Sequence, residues 1–116
     1  MRTLLFTLMM FVGGTAMAQD AGVIEIVTMK LAEGVTVQEF KPVDKAIEEE
    51  HVSKQPGFIS RQAAFSGGKW AVVVSWESAD AAQASMDSFA SARAAERFMS
   101  MIDPSSMLMT RYELAR

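Results

Sequence analysis

The sequence predicts a ferredoxin-like α+β fold, in which one antiparallel sheet carries helices on one face. Three observations predict it: a β-hairpin at residues 57–78, strand-like stretches near both ends, and helical periodicity between the strands. The predicted order of elements is β-α-β-β-α-α-β, which suits this fold class. Beyond an N-terminal leader, the sequence indicates a single domain without repeats or linkers.

The central hairpin joins two predicted strands, Phe58 to Phe65 and Lys69 to Trp76. Both are rich in β-branched and aromatic residues, and Gly67-Gly68 between them permits a tight turn. Alternation along the second strand places Trp70, Val72, Val74 and Trp76 on one face and Ala71, Val73 and Ser75 on the other. Because both faces are largely apolar, we expect helices to cover one and a second copy of the chain to cover the other, which predicts a homodimer.

The first strand is predicted at Val23 to Leu31, from its β-branched residues and alternating faces. The first helix is predicted from a capping box, with Thr36 as N-cap and Glu39 three residues later, and it extends to about Val52. Pro42 either kinks this helix or marks its true start. The inner stripe at helical spacing is Phe40, Val43, Ile47 and His51.

The second half of the chain predicts two helices and a last strand. Ser78 caps the second helix, and its predicted buried face is Ala82, Met86 and Phe89. Ser91 is predicted to cap a short third helix that extends through Met101 and is ended by Asp103-Pro104. The last strand is predicted at Met107 to Leu114.

Residues 1–18 have the features of a secretory signal peptide, with Arg2 ahead of a short apolar run and Ala16-Met17-Ala18 at a cleavage site. We expect cleavage between Ala18 and Gln19, a mature domain at residues 19–116, and a periplasmic or secreted protein. The net charge of −3 gives no basic surface for nucleic acid or anionic lipid, so we expect neither partner, and no membrane association after cleavage. The chain has no cysteine, so its stability depends on its core.

The residues resemble a known family, the antibiotic biosynthesis monooxygenase (ABM) domain. The resemblance lies in GFISR after a helix ending in HVSKQP, in the valine-rich strand that closes on SWES, and in DPSSMLMTRYEL. It covers nearly all of the mature chain, and it implies a dimeric α+β barrel. Members of this family include cofactor-independent monooxygenases that act on polyphenols, haem-degrading monooxygenases, and proteins with no established reaction.

The chain departs from the residue sets of both branches. The haem-degrading branch uses an Asn on the first strand, a Trp on the third and a His on the second helix. Trp76 matches the Trp, but the first strand offers Thr28 and no Asn, and residues 79–101 contain no His. The quinone-forming branch uses Trp, Asn, Tyr or Arg residues, and this chain contains no Asn.

Two residues are candidate catalytic groups. His51, the only histidine, can exchange a proton near neutral pH or can interact with the end of its helix. Arg61 lies in mid-strand among apolar neighbours and therefore needs a partner. That partner is either a ligand carboxylate or phenolate, or a structural carboxylate such as Glu25 or Glu113.

Four aromatic residues form the candidate substrate-binding set: Trp70, Trp76, Tyr112 and Phe40. An aromatic wall of this kind binds a planar ring by stacking, and the same residues also serve core packing and dimer contacts. The sequence does not decide between these uses.

We expect no bound cofactor and no metal. There is no phosphate-binding glycine loop, and one His without Cys does not make a zinc site. The pairs Met99 with Met101 and Met107 with Met109 suit either Cu(I) or core packing, and we favour packing. The predicted function is ABM-like, cofactor-independent oxygenation of a small aromatic or polyphenolic compound. The alternative is a non-catalytic periplasmic dimer that binds a small ligand or is associated with stress.

Overall fold

The computed structural model describes residues 21–115, so the predicted signal peptide and its cleavage site lie outside the described residues. Within residues 21–115, four strands and three α-helices follow one another in the predicted order. The elements are β1 (Val23–Leu31), α1 (Val37–Glu50), a 3-10 turn (Val52–Lys54), β2 (Phe58–Ser66), β3 (Lys69–Trp76), α2 (Ala79–Phe89), α3 (Arg93–Ser100) and β4 (Ile102–Glu113).

The four strands form one antiparallel sheet in the order β2-β3-β1-β4, which confirms the predicted ferredoxin-like fold. The two central strands are β1 and β3, and Val27 of β1 lies opposite Val72 of β3 and Met109 of β4. This register fixes which side chains share a face of the sheet, because alternate residues of a strand point to opposite faces.

The hairpin and the first helix form where the glycine turn and the capping box in the sequence predict them. Gly67 has a φ of 60° in the two-residue turn between β2 and β3, a conformation that favours glycine. At the start of α1, the Thr36 hydroxyl accepts a hydrogen bond from the amide of Glu39, and the Glu39 carboxylate accepts one from the amide of Thr36. Pro42 lies inside α1, so the helix begins before it and the alternative start after it is wrong.

The third helix and the last strand differ from the prediction. The N-cap of α3 is Ala92, since the Ser91 hydroxyl instead donates to the carbonyl of Ser88. Strand β4 begins at Ile102 and includes Pro104, five residues earlier than predicted. A proline is tolerated there because β4 is an edge strand and its register against β1 shifts between Thr28 and Lys30.

The hydrophobic core lies between the helices and one face of the sheet. Phe40 and Ile47 of α1 are fully buried, and Trp76 is 1% exposed. The predicted buried face of α2 needs one correction, because Met86 is 41% exposed while Ser85 is buried. The alternation of β3 agrees with the prediction: Trp70, Val72, Val74 and Trp76 are buried, and the residues between them are not.

The opposite face of the sheet, which we call the open face, carries no helix of the described residues. Its large apolar side chains are exposed to solvent at Val73, Leu108 and Tyr112. Within residues 21–115, no helix combines the length and the apolar character needed to cross a bilayer.

Candidate functional site

A cavity of ≈ 280 Å³ lies between the helix-covered face of the sheet and the helices α2 and α3. All four strands, both helices and the 3-10 turn contribute to its wall. The lining residues are Glu25, Val27, Met29, Val52, Arg61, Val72, Val74, Trp76, Ser85, Met86, Phe89, Phe98, Met99 and Met107.

Apolar side chains dominate this wall, and three groups give it polar atoms: Glu25, Arg61 and Ser85. Met86 and Met107 are the most exposed lining residues, at 41% and 36%, so they mark the opening to solvent. A mostly apolar concave site with a few polar groups is the usual form of a small-molecule site.

Glu25 is 4% exposed and is held by two residues from neighbouring strands. The indole N–H of Trp76 donates to Glu25 Oε1 at 3.0 Å. Arg111 donates to Oε2 from Nε at 3.0 Å and from Nη2 at 2.7 Å. The buried carboxylate therefore has an opposite charge beside it, as a buried ion requires.

Arg61 is held in the same way from the first helix. Its Nη1 and Nη2 donate to the two oxygens of Asp44 at 2.8 Å each, and Nη1 also donates to Glu48 at 3.0 Å. Burial opposes the charge of Arg61, but the hydrogen bonds and charges of both carboxylates outweigh it and raise the pKa of Arg61 above its ordinary value. The expected structural pairing is therefore present, but with Asp44 and Glu48 in place of Glu25 or Glu113.

His51 lies at the end of α1, 7% exposed, and is not among the residues that line the cavity. Its Nδ1 lies 3.3 Å from the side-chain amide nitrogen of Gln55. Its Nε2 lies 3.4 Å from the carbonyl of Ser85 and 3.2 Å from the hydroxyl of Ser88. These partners suit a ring protonated on Nε2, in contact with α2 behind the cavity wall.

The four aromatic candidates are not brought together. Trp76 lines the cavity, whereas Trp70 and Phe40 pack against each other outside it with ring centres 4.9 Å apart. Tyr112 lies opposite Ile24 in the sheet, on the open face, and so on the far side from Trp76. Of the sequence-derived candidates, Arg61 and Trp76 are the two that share the cavity wall.

Three groups hold the polar part of this region: Glu25, Arg111 and Asp44. The sequence pointed to Glu25 only as a possible partner of Arg61, and it did not single out Arg111 or Asp44. A signal for two of them was present. Glu25 alternates with Val23 and Val27 on an inward strand face, and Asp44 follows Val43 of the inner stripe of α1. An acidic residue at such a position needs a buried partner.

Among residues 21–115, no three His, Cys, Asp or Glu side chains are grouped so that they would hold a metal ion. Four methionines, Met29, Met86, Met99 and Met107, line the cavity and give it polarizable, adaptable walls.

Searches against protein-family models and against curated proteins found no match to this chain. Solved structures are similar in fold. SnoaB, a cofactor-independent oxygenase from Streptomyces nogalater, is 15% identical with a TM-score of 0.66, over 84% of this chain and 95% of that one. A candidate antibiotic biosynthesis monooxygenase from Caulobacter crescentus is 20% identical with a TM-score of 0.64, over 83% of this chain and 92% of that one.

A third similar structure is a dimeric ferredoxin-like protein from an uncultured marine organism. It is 12% identical with a TM-score of 0.60, over 85% of this chain and 92% of that one. Each of the three comparisons covers more than four fifths of this chain and more than nine tenths of the other. This chain therefore shares the ferredoxin-like α+β fold of these proteins.

Proposed function

We propose that this protein is an ABM-type monooxygenase that oxygenates a small aromatic or polyphenolic compound without a bound cofactor. The observation that carries the proposal is the apolar cavity of ≈ 280 Å³ with a buried carboxylate and an indole in its wall. SnoaB, which has the same fold, is a cofactor-independent oxygenase, and this similarity supports the reaction class.

The chemistry asked of the protein is modest. An electron-rich phenol becomes a better electron donor to dioxygen when its hydroxyl is ionised. The protein would hold the ring, favour the ionised form and keep bulk water away from the reacting atoms. The aromatic residues Trp76, Phe89 and Phe98 supply surface against which a planar ring packs.

The proposed active form is a homodimer. The open face of the sheet exposes Val73, Leu108 and Tyr112, with Ile24 and Ile26 half-buried beside them. A contiguous apolar face of this kind is typical of an interface, and the same face of a second copy is complementary to it. The dimeric ferredoxin-like neighbour supports this arrangement.

The proposed location is the periplasm or the medium, with residues 1–18 removed as a signal peptide and residues 19–116 as the functional domain. The support is the sequence of the leader alone.

A second candidate function is non-catalytic binding of a small ligand by the same dimer. One observation favours it: the Arg61 guanidinium already donates hydrogen bonds to Asp44 and Glu48, and His51 lies outside the cavity wall. The two groups first considered for catalysis are therefore both engaged in contacts within the protein.

Oxygen uptake tests the proposal. The purified protein is mixed with a panel of hydroquinones and polyphenols in an oxygen electrode, and products are identified by mass. Catalysed uptake with one oxygen atom added to a product supports the oxygenase. Ligand-induced rises in melting temperature without uptake for any compound favour the binding function.

A further inference from the structure

A row of four residues crosses all four strands on the helix-covered face of the sheet. Each residue of the row lies opposite the next, in the order Arg111, Glu25, Val74 and Arg61. Directly opposite residues on neighbouring strands point to the same face. Glu25, Val74 and Arg61 all line the cavity. An apolar side chain therefore separates two charged ones in this wall, and their backbones lie two strand spacings, roughly 10 Å, apart.

Glu25 offers the cavity a hydrogen-bond acceptor. An ionised carboxylate has about four lone-pair positions, two on each oxygen. Arg111 donates twice to Oε2, and Trp76 donates once to Oε1. Within residues 21–115 no second donor reaches Oε1, so one acceptor position remains on that oxygen. Because the carboxylate is already held by donors, its remaining position suits a hydroxyl that donates to it and keeps its own proton.

Arg61 offers hydrogen-bond donors at the other side of Val74. A guanidinium carries five N–H groups. Three of them donate to Asp44 and Glu48, two from Nη1 and one from Nη2. In the part of the chain that the structure describes, Nε and the second N–H of Nη2 have no acceptor, although the side chain is only 4% exposed. A buried donor without a partner is costly, so an acceptor on a ligand would gain by reaching it.

From these two complementary ends we infer that the cavity binds an aromatic compound across Val74, with a hydroxyl donating to Glu25 and an acceptor oxygen facing Arg61. The inference deepens the proposed function and rests on it for the aromatic class of the ligand. A phenol with a second oxygen across the ring, as a carbonyl or another hydroxyl, satisfies both ends. The hydroxyl beside Glu25 stays neutral, so the oxygen that ionises in the proposed reaction is the one beside Arg61.

The cavity volume limits the length of this ligand. An engineered protein cavity of about 150 Å³ holds one benzene ring. The ≈ 280 Å³ here is nearly twice that volume, so the ligand has one ring or two fused rings with its polar groups at opposite ends. The phenyl rings of Phe89 and Phe98 and the thioether of Met99 in the wall suit a flat ring.

Three para-substituted rings of similar size test the two ends in the wild type. 4-Hydroxyacetophenone has a donor and a carbonyl acceptor, 4-methoxyacetophenone lacks the donor, and 4-ethylphenol lacks the carbonyl. Dissociation constants are measured by ligand-observed NMR titration, at a pH two units below the pKa of the more acidic phenol, where about one hundredth of it is ionised. We expect 4-hydroxyacetophenone to bind about tenfold or more tightly than either of the others, because each of them leaves one buried polar group unpaired.

Two variants assign these preferences to residues. In Glu25→Gln the amide oxygen accepts from the Arg111 cation, so the amide NH₂ faces the cavity as a donor. We expect this variant to lose the preference over 4-methoxyacetophenone and to keep the preference over 4-ethylphenol. Arg61→Met combined with Asp44→Asn removes the guanidinium without leaving a buried charge on residue 44, and we expect the converse. Glu33→Gln, in the exposed loop before α1, is the control and should keep both preferences.

Each preference is a ratio measured within one protein, so a folded variant of lower stability still gives a result, and the wild-type comparison needs no variant. Three results would overturn the inference: equal binding of the three ligands by the wild type, no saturable binding of any of them up to its solubility, or a preference that survives without its residue. The titrations need no turnover. Oxygen uptake without these preferences would refute the binding arrangement and leave the oxygenase in place, and the preferences without uptake would do the reverse.

Discussion

The indole N–H of Trp76 donates to the carboxylate of Glu25 at 3.0 Å, between the neighbouring strands β3 and β1. The same arrangement occurs a second time, where the indole of Trp70 donates to Asp44 at 3.1 Å. In both cases an arginine completes the group, Arg111 for Glu25 and Arg61 for Asp44. One strand thus anchors two buried carboxylates, of which Glu25 is the one in the cavity wall.

The two tryptophans allow a matched comparison. Trp76→Phe and Trp70→Phe each remove one N–H from a charged acceptor, which costs about 1.5–3 kcal/mol of unfolding free energy. We expect similar losses from both in urea unfolding. Since Trp76 alone of the two lines the cavity, we expect Trp76→Phe to weaken the binding of a small aromatic probe such as 4-nitroanisole and Trp70→Phe to leave it unchanged. Equal effects on binding would contradict the assignment of the cavity as the ligand site.

Arg61 is predicted to act on stability through Asp44. Its side chain is 4% exposed, so Arg61→Met leaves the buried carboxylate of Asp44 without an opposite charge, and we expect a loss of about 3–5 kcal/mol of unfolding free energy. Adding Asp44→Asn to Arg61→Met should recover part of that loss, because no buried charge is then left unpaired. The control is Glu48→Gln, whose side chain is 36% exposed and whose cost should stay below about 1 kcal/mol. If the double variant is no more stable than Arg61→Met, the loss of stability does not come from the unpaired charge of Asp44.

The capping box of Thr36 and Glu39 predicts that the stability of the fold depends on pH. The hydrogen bond from the amide of Thr36 lowers the pKa of Glu39 below its ordinary value. A group whose pKa is lower in the folded state stabilises the fold above its unfolded pKa and loses that contribution as the pH falls through the folded value. We expect Glu39→Gln to lower the melting temperature at pH 7 and to approach the wild type in acid. Glu33→Gln, in the exposed loop before α1, is the control and should show no such convergence.

The exposed apolar side chains of the open face predict that the protein is a homodimer. Val73 lies at the middle of β3 opposite Ile26, so a charge there would be buried at a dimer interface without a partner. We expect wild-type protein to have the mass of two copies in sedimentation equilibrium, and Val73→Glu to have the mass of one. Ala84→Glu, on the exposed side of α2, should stay dimeric. A wild type that is monomeric at micromolar concentration would contradict the proposed dimer.

The elements predicted well are those whose signals are local. The bounds of β1 and β3, the turn at Gly67 and the capping box of Thr36 and Glu39 all follow from residues within a few positions of each other. The start of β4 does not follow from local signals. Pro104 normally indicates the end of a helix or strand, and its place in β4 depends on the pairing of this strand with β1. Local helix signals likewise gave no reason to choose Ala92 over Ser91 as the cap of α3.

The candidate site was predicted in part for the same reason. The sequence indicates that Arg61 needs a buried partner. It does not show that this partner is Asp44, because that contact depends on how α1 packs on β2. The position of Tyr112 depends on the register of β4 against β1, which places it on the open face. The contact of Glu25 with Trp76 spans 51 residues of sequence and follows from the strand order of the sheet.

The measurement that tests the central claim most directly is oxygen uptake by two tryptophan variants of α2. Met86→Trp adds bulk at the opening of the cavity, and Ala84→Trp adds it on an exposed position of the same helix that does not line the cavity. With a hydroquinone that the wild type oxidises, we predict that Met86→Trp loses about tenfold or more of the rate and that Ala84→Trp keeps it, since a small displacement of a bound substrate costs that much. Equal rates in both variants, with both folded, would show that the reaction does not occur in this cavity.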